Sequence, residues 1–207
     1  MPKPSIYVLG ASHAKRLYKK LIANPYISKK YHIQNFTKSG SHFTTQPLPN
    51  TQVIKHNDIL ILWTFGNILF NKRSHERKLK GEFKGQYVLN KFDPNSLEMI
   101  QNEWRAAKIF LEQLPCTVYI LDCPLRYCAS RQIDFRIIQF QRQMNCRMNL
   151  FFQGSRLTVL PHIKWLPVGK GFAKDLNKYQ YLFADNVHFS DIVYAGMITK
   201  LIWKRVL

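Results

Sequence analysis

The sequence contains few acidic residues and no long apolar run. Only 12 of its 207 residues are Asp or Glu, against 31 Lys and Arg, which gives a formal net charge of +19. No apolar stretch approaches the roughly 18 residues that a membrane-spanning helix needs, so we expect no transmembrane segment. The apolar residues before Gly10 are too few for the hydrophobic region of a signal peptide. These absences predict an intracellular protein, cytoplasmic or nuclear, without a signal peptide.

The cysteines lack the paired spacing that zinc and redox sites use. The chain has four of them: Cys116, Cys123, Cys128 and Cys146. We interpret all four as reduced thiols, with disulfides as the less favoured alternative. Five scattered histidines form no ligand-like cluster along the chain: His32, His42, His56, His75 and His162. We therefore expect neither a metal nor a cofactor.

The excess of positive charge is larger than a fold requires. Hydrophobic residues make up 46% of the chain, which is ample for a core. A charge of +19 favours attraction to a polyanion, most often nucleic acid and less often an anionic membrane surface. The alternative is a basic surface that only water covers. The sequence does not predict an oligomeric state.

The densest basic stretch lies between about residues 70 and 95. It is long for a simple connection between a strand and a helix, so we interpret it as an inserted loop or lid. It either contacts a polyanion or is an ordinary solvated loop. Its candidate contact residues are Lys72, Arg73, Arg77, Lys78, Lys80 and Lys84.

Short apolar runs alternate with stretches of helical periodicity. The runs cover residues 5–9, 31–37, 58–63, 117–121 and 156–160. The main helices are predicted from residue 13 to 22, from Asn95 or Ser96 to about 114, from 134 to 152, and after Ser190, a candidate N-cap. This alternation is typical of a single α/β domain, residues 1–207, with a parallel five-stranded sheet covered on both faces.

Polar or glycine-containing loops follow four of the predicted strands. Asp185 lies three residues before His188, ahead of the last helix, where a carboxylate can orient an imidazole and leave Nε2 to accept a proton. Ser12 lies at the turn from the first strand into the first helix, whose N-terminus favours negative charge. Gly40 and Asn67 follow two other strands. Because parallel strands end at one edge, we expect these loops to converge.

Taken together, the four loops resemble those of the SGNH hydrolases, also called GDSL esterases. The Gly-Asp-Ser block of that family corresponds to residues 10–12, and its second-block glycine to Gly40. Its Gly-x-Asn-Asp block corresponds to residues 65–68, and its Asp-x-x-His block to residues 185–188. The resemblance implies a flavodoxin-like, three-layer α/β/α sandwich. It also implies a serine esterase or deacetylase that acts on a small acyl ester.

The resemblance also implies a role for each matching residue. Ser12 would attack the carbonyl carbon, His188 would take the proton of Ser12, and Asp185 would hold His188. The backbone N–H groups of Ser12 and Gly40 and the side-chain amide of Asn67 would form the oxyanion hole. Such donors are each worth about 10²- to 10³-fold in rate.

Three positions depart from the family pattern: Ala11 replaces Asp, Phe65 replaces Gly and Ile68 replaces Asp. We expect Ala11 to remove a polar support of the turn and Phe65 to narrow or reshape the acyl pocket. None of the three removes a proposed proton-transfer group.

Each candidate residue also has a purely structural interpretation. Ser12 could cap the first helix, Asp185 and His188 could be a structural pair, and Asn67 could be an ordinary turn residue. His13 is better explained as support for the turn than as a catalytic group.

A second function therefore stays open. The chain could be an SGNH-like binding module of a nucleic-acid-associated protein, with hydrolysis weak or lost. SGNH-like domains also occur in proteins of mobile genetic elements, and a mobile-element or viral context would suit the net charge.

Overall fold

A parallel sheet forms the centre of the structure. The computed structural model describes residues 2–67, 70–72, 87–89, 94–124, 135–161, 181–184, 188–204 and 206–207. The strands in these ranges are β1 (Ser5–Gly10), β2 (His32–Thr37), β3 (Ile59–Trp63), β4 (Phe70–Lys72), β5 (Tyr87–Leu89), β6 (Thr117–Leu121) and β7 (Thr158–Leu160). Five of them form one parallel sheet in the order β2-β1-β3-β6-β7. This is the strand order of flavodoxin-like folds.

Helices cover both faces of that sheet. They are α1 (Ser12–Ala23), α2 (Pro25–Lys30), α3 (Pro94–Glu112), α4 (Phe135–Phe152) and α5 (Asp191–Trp203). Short 3-10 turns at Phe43–Thr45 and Thr51–Val53 lie in the loop between β2 and β3. The predicted α/β architecture with a parallel five-stranded sheet is confirmed.

Alternating strand residues build two separate cores. On β1, Ile6 and Val8 pack with α1, α2 and α5, whereas Tyr7 and Leu9 pack with α3 and α4. The inner strands are buried on both faces, which explains why their sequences are continuous apolar runs rather than alternating ones.

Some predicted boundaries were wrong by one or two residues. Helix α3 begins at Pro94, not at Asn95 or Ser96. Proline is favoured at the first helical position, because the N–H that it lacks would have no partner within the helix there. The last strand begins at Thr158 rather than at residue 156. Helix α2 was not predicted. The Asn24 side chain caps it by accepting hydrogen bonds from two backbone N–H groups at 3.1 and 3.2 Å.

The basic stretch predicted as a loop contains strand at both of its ends. Strands β4 and β5 pair antiparallel, with Phe70 opposite Leu89 and Lys72 opposite Tyr87. Its other candidate polyanion contacts lie outside the described residues: Arg73, Arg77, Lys78, Lys80 and Lys84. The extent of the domain and the role of this stretch stay predictions.

A buried carboxylate joins the amino ends of β1 and β3. Asp58 is 4% exposed. Its two oxygens accept hydrogen bonds from the Ser5 N–H at 2.7 Å and from the Lys55 N–H at 2.8 Å. These bonds lie at the edge of the sheet opposite the predicted site, so they bear on folding rather than on chemistry.

Replacing Asp58 with alanine is therefore expected to lower the free energy of unfolding by about 2–3 kcal/mol, because two backbone donors lose their acceptor. Urea denaturation measures this change. Asp191→Ala is the control: its exposed carboxylate pairs with Lys20 at 2.9 Å, and the loss should stay below about 1 kcal/mol. Equal losses in the two variants would contradict the role given to Asp58.

None of the helices in the described ranges has both the length and the apolarity to span a bilayer.

Candidate active site

The turns that follow β1, β2 and β3 are fastened to one another at the carboxyl edge of the sheet. The Ala11 N–H donates to the Trp63 carbonyl at 3.1 Å, which joins the first turn to the end of β3. The Lys38 N–H donates to the Gly10 carbonyl at 2.9 Å, which joins the first turn to the end of β2. The expected convergence of these three loops is present in the structure.

Gly10 permits this close approach. Its φ is +136°, and a Cβ there would collide with the Trp63 carbonyl oxygen and lie 2.6 Å from its carbon. A side chain would therefore push β1 away from β3 at the point where the chain turns into α1. The glycine of the first motif is required by backbone packing.

The carbonyl of Ser41 ties the second loop to the third. Asn67 donates from Nδ2 to this oxygen at 3.0 Å, and Thr64 donates from Oγ1 at 3.4 Å. Gly40, the preceding residue, is exposed and has a φ of +77°. Asn67 thus lies next to the turn that carries Gly40, and the oxyanion role of both residues stays a prediction.

Ser12 is the first residue of α1 and does not cap it. The N-cap position is Ala11, and no side-chain hydrogen bond caps the helix. The structural alternative, in which Ser12 is the N-cap, is therefore wrong. Among the described residues, none forms a hydrogen bond with the Ser12 hydroxyl, and the residue is half-buried. The first turn of α1 contains no acidic residue, so its N-terminal positive potential is not neutralised locally.

His188 lies beside the residue that follows Ser12. The ring centroids of His188 and His13 are 5.2 Å apart. His13 is 4% exposed, packs 5.0 Å from the Trp63 ring, and has Nδ1 2.9 Å from the Tyr194 hydroxyl on α5. The two ends of the chain therefore meet at this edge. His13 therefore joins α1 to α5 through its contact with Tyr194.

The fold is shared with known structures, although the sequence is not. No protein-family model matches the chain, and no curated protein matches it. The structure of YXIM from Bacillus subtilis is similar with a TM-score of 0.59 at 11% identity, over 100% of this chain and 58% of that one. A protein described as a GDSL-like lipase from Parabacteroides merdae ATCC 43184 is similar with a TM-score of 0.56 at 14% identity, over 98% of both chains. The chain therefore shares the α/β fold of these two structures.

Two of the predicted positions lie outside the described residues. These are Asp185, the proposed partner of His188, and Ile68, one of the departures from the family pattern. Ser190 does occupy the N-cap position of α5, as expected. Its side chain makes no capping hydrogen bond there.

The expectation for Phe65 was wrong. This side chain is 3% exposed and stacks on Phe152 of α4, with ring centroids 6.2 Å apart. Phe65 therefore packs into the core between the sheet and helices α3 and α4 instead of narrowing an acyl pocket. Gly66 allows the neighbouring loop to approach, because a Cβ there would lie 2.7 Å from Cδ of Pro124.

A cysteine nucleophile is disfavoured by the structure. Cys116, Cys123 and Cys146 are free thiols, and Cys128 lies outside the described residues. Burial raises the pKa of the Cys116 thiol to about 11, and this residue precedes β6 at the opposite edge of the sheet. Cys123 follows β6 but is 1% exposed. In the described part of the chain, no three His, Cys, Asp or Glu side chains are grouped to hold a metal ion.

Sequence analysis missed the buried Asn145 of α4. Its Oδ1 accepts from the Cys123 N–H at 2.8 Å and its Nδ2 donates to the Cys123 carbonyl at 3.3 Å. Asn145 thereby fixes the loop after β6, which ends at the same edge as the site. An amide beside Met144, inside a predicted helix, was the sequence signal that could have revealed it.

Proposed function

We propose that the chain is a serine esterase with Ser12 as nucleophile, His188 as general base and Asp185 as the group that orients His188. The supporting observation is the meeting of the Ser12 turn, the Asn67 amide and the His188 ring at one edge of an SGNH hydrolase fold. The substrate class is a small acyl ester. No metal or cofactor takes part in the reaction.

The reaction proceeds in two acyl-transfer steps. Ser12 Oγ attacks the ester carbonyl carbon while His188 Nε2 takes the hydroxyl proton. The resulting tetrahedral intermediate expels the alcohol, which receives that proton from His188, and the acyl group stays on Ser12. Water then attacks the acyl-enzyme, His188 takes a proton from it, and the carboxylic acid leaves as Ser12 recovers its proton.

The developing oxyanion needs fixed donors. The Ser12 N–H belongs to the first turn of α1, where backbone N–H groups have no helical partner. The Asn67 amide has two N–H bonds, and the one donated to Ser41 also holds the side chain in place. The Gly40 N–H is the third proposed donor, carried by the turn that Asn67 contacts.

The hydrogen bond between nucleophile and base is not formed in the structure. Among the described residues, His188 included, none bonds to the Ser12 hydroxyl. Catalytic hydrogen bonds are commonly long or misaligned without substrate and tighten when it binds. We therefore assign the Ser12–His188 contact to the substrate complex.

A fluorophosphonate probe tests the nucleophile. Because this reagent phosphonylates an activated serine, we expect stoichiometric labelling of the wild-type chain and none of Ser12→Ala. In-gel fluorescence gives the extent, and mass spectrometry of the labelled peptide gives the residue.

Ser28→Ala is the matched control, because Ser28 is an exposed helical serine on α2, away from the proposed site. It should label as the wild type does. Labelling that survives in Ser12→Ala, or a wild-type chain that neither labels nor hydrolyses activated esters, would refute the proposal.

A further inference from the structure

Three helices on one side of the sheet are rich in basic residues and almost free of acidic ones. Helices α1, α2 and α5 pack against the same core. Their cations are Lys15, Arg16, Lys19, Lys20, Lys29, Lys30, Lys200 and, at the end of α5, Lys204. Six of these eight are exposed, and Arg16 and Lys20 are half-buried. Asp191 is the one acidic residue in the three helices. We call this surface the α1–α2–α5 face.

The other side of the sheet does not share this imbalance. Helix α3 carries three acids, Glu98, Glu103 and Glu112, against Arg105 and Lys108. Lys108 lies 4.0 Å from the Glu112 carboxylate one turn along the helix. Helix α4 adds Arg136, Arg142 and Arg147, of which the structure describes the side chains of the last two. The excess of basic over acidic residues is therefore larger on the α1–α2–α5 face than on the helices of the other side.

Exposed aromatic rings lie among the cations of the α1–α2–α5 face. Trp203 is 75% exposed, and Nζ of Lys200 lies 5.2 Å from its ring centroid. Tyr26 is 55% exposed, and Nζ of Lys30 lies 5.9 Å from its ring centroid. Cations that follow a phosphate backbone, combined with rings on which bases stack, are typical of surfaces that bind single strands.

The same face is poorly suited to a membrane. The exposed positions in the middle of α5 are Ala195, Gly196 and Thr199, which are small or polar. A helix that lies in a membrane interface needs a continuous apolar stripe on its exposed side. The exposed Ile22 and Ile192 are on different helices and do not supply one.

We propose that the α1–α2–α5 face binds single-stranded nucleic acid, with its lysines on the phosphates and Trp203 stacked on a base. None of these cations belongs to the basic stretch at residues 72–84. The proposal does not depend on hydrolysis, so Ser12→Ala should bind as the wild type does.

The test compares two variants with the same change of charge. The face variant replaces Lys15, Lys19, Lys29 and Lys200 with glutamine. The control variant replaces Arg105, Lys108, Arg142 and Arg147 with glutamine on the other side of the sheet. Fluorescence anisotropy with the full chain and a labelled oligothymidylate of about 20 nucleotides, which exceeds the usual site size, gives Kd over a series of NaCl concentrations.

The wild type should bind more weakly as salt rises. Each phosphate contact on a single strand contributes about −0.7 to the slope of log K against log salt. The face variant lacks four lysines, so the magnitude of its slope should be smaller by roughly 3. At low salt it should bind about 30- to 100-fold more weakly than the wild type. The control variant should stay within about threefold in Kd and keep the slope.

Trp203 gives an independent readout. Trp203→Ala should weaken binding roughly tenfold without changing the salt slope, because stacking releases no counterions. Trp203→Phe should keep most of the affinity, since a phenyl ring also stacks on bases.

Three results would overturn the proposal: no binding at low salt, equal losses in the two charge variants, or binding to phosphatidylserine-containing vesicles but not to the oligonucleotide. Circular dichroism melts confirm that the variants fold. If a quadruple variant does not fold, the double variants at Lys15 with Lys19 and at Arg142 with Arg147 make the same comparison.

Discussion

His188→Ala is expected to lower kcat/KM for an activated acetate ester by roughly 10⁴- to 10⁶-fold. A serine hydroxyl is a weak nucleophile at neutral pH, and His188 is the proposed base beside the Ser12 turn. In the structure, the ring centroids of His188 and of His13, the residue after Ser12, are 5.2 Å apart. Hydrolysis of 4-nitrophenyl acetate, followed by absorbance, measures the effect.

His56→Ala is the matched control, because His56 is exposed in the turn before β3, at the opposite edge of the sheet. It should keep wild-type activity. The double variant Ser12→Ala with His188→Ala should be about as slow as either single variant. The rate losses from substituting residues that act together in one step do not add. Losses that multiply, or activity that persists in His188→Ala, would show that the histidine does not serve Ser12.

Asn67→Ala is expected to lower kcat by about 10²- to 10³-fold, through the loss of one oxyanion donor. The change removes an amide whose second N–H is proposed to face the substrate. KM should change little, because the interaction strengthens only as the oxyanion forms. Steady-state kinetics with the same acetate ester separate kcat from KM.

The same substitution also breaks a structural bond, so it needs its own control. Asn67 donates to the Ser41 carbonyl at 3.0 Å, and Thr64 donates to the same oxygen at 3.4 Å. Thr64→Val removes a bond to that carbonyl without removing a donor from the site, and it should leave kcat within about threefold of the wild type. If Thr64→Val slows the enzyme as much as Asn67→Ala, Asn67 supports the loop and does not stabilise an oxyanion.

These experiments also separate the two functions that the sequence left open. Failure of labelling together with retained binding to an oligonucleotide would favour the binding module over the esterase. Labelling without binding would favour the esterase alone. Helix α1 begins at Ser12, and α5 begins three residues after His188. Lys200 and Trp203 lie near the C-terminal end of α5. The same two helices therefore have room for both functions.

The local pattern of apolar and polar residues was sufficient to predict the architecture. The continuous apolar runs predicted strands buried on both faces, and the switch to helical periodicity after Gly10 placed Ser12 at a strand-to-helix turn. Element ends were less well predicted, because a boundary depends on one or two residues. Proline at the start of α3 and the Asn24 cap of α2 are such cases.

Side-chain roles depended on contacts between distant segments. Phe65 belongs to a motif of the site by its position in the sequence, yet it stacks on Phe152, 87 positions further along, as part of the core. Ser12 could have capped α1, but the backbone places Ala11 at that position. Neither outcome can be deduced from spacing, because each depends on which neighbours the fold brings near.

What the sequence determined by itself was the alternation of strands and helices, the net charge and the identity of the groups that could perform acyl transfer. These follow from local periodicity and composition, which need no partner elsewhere in the chain. Only the tertiary structure decided that the loops after β1 and β3 meet the loop before α5, and that the excess of basic over acidic residues is larger on one face. Those facts come from the order β2-β1-β3-β6-β7 and from helices packing on particular sides of the sheet.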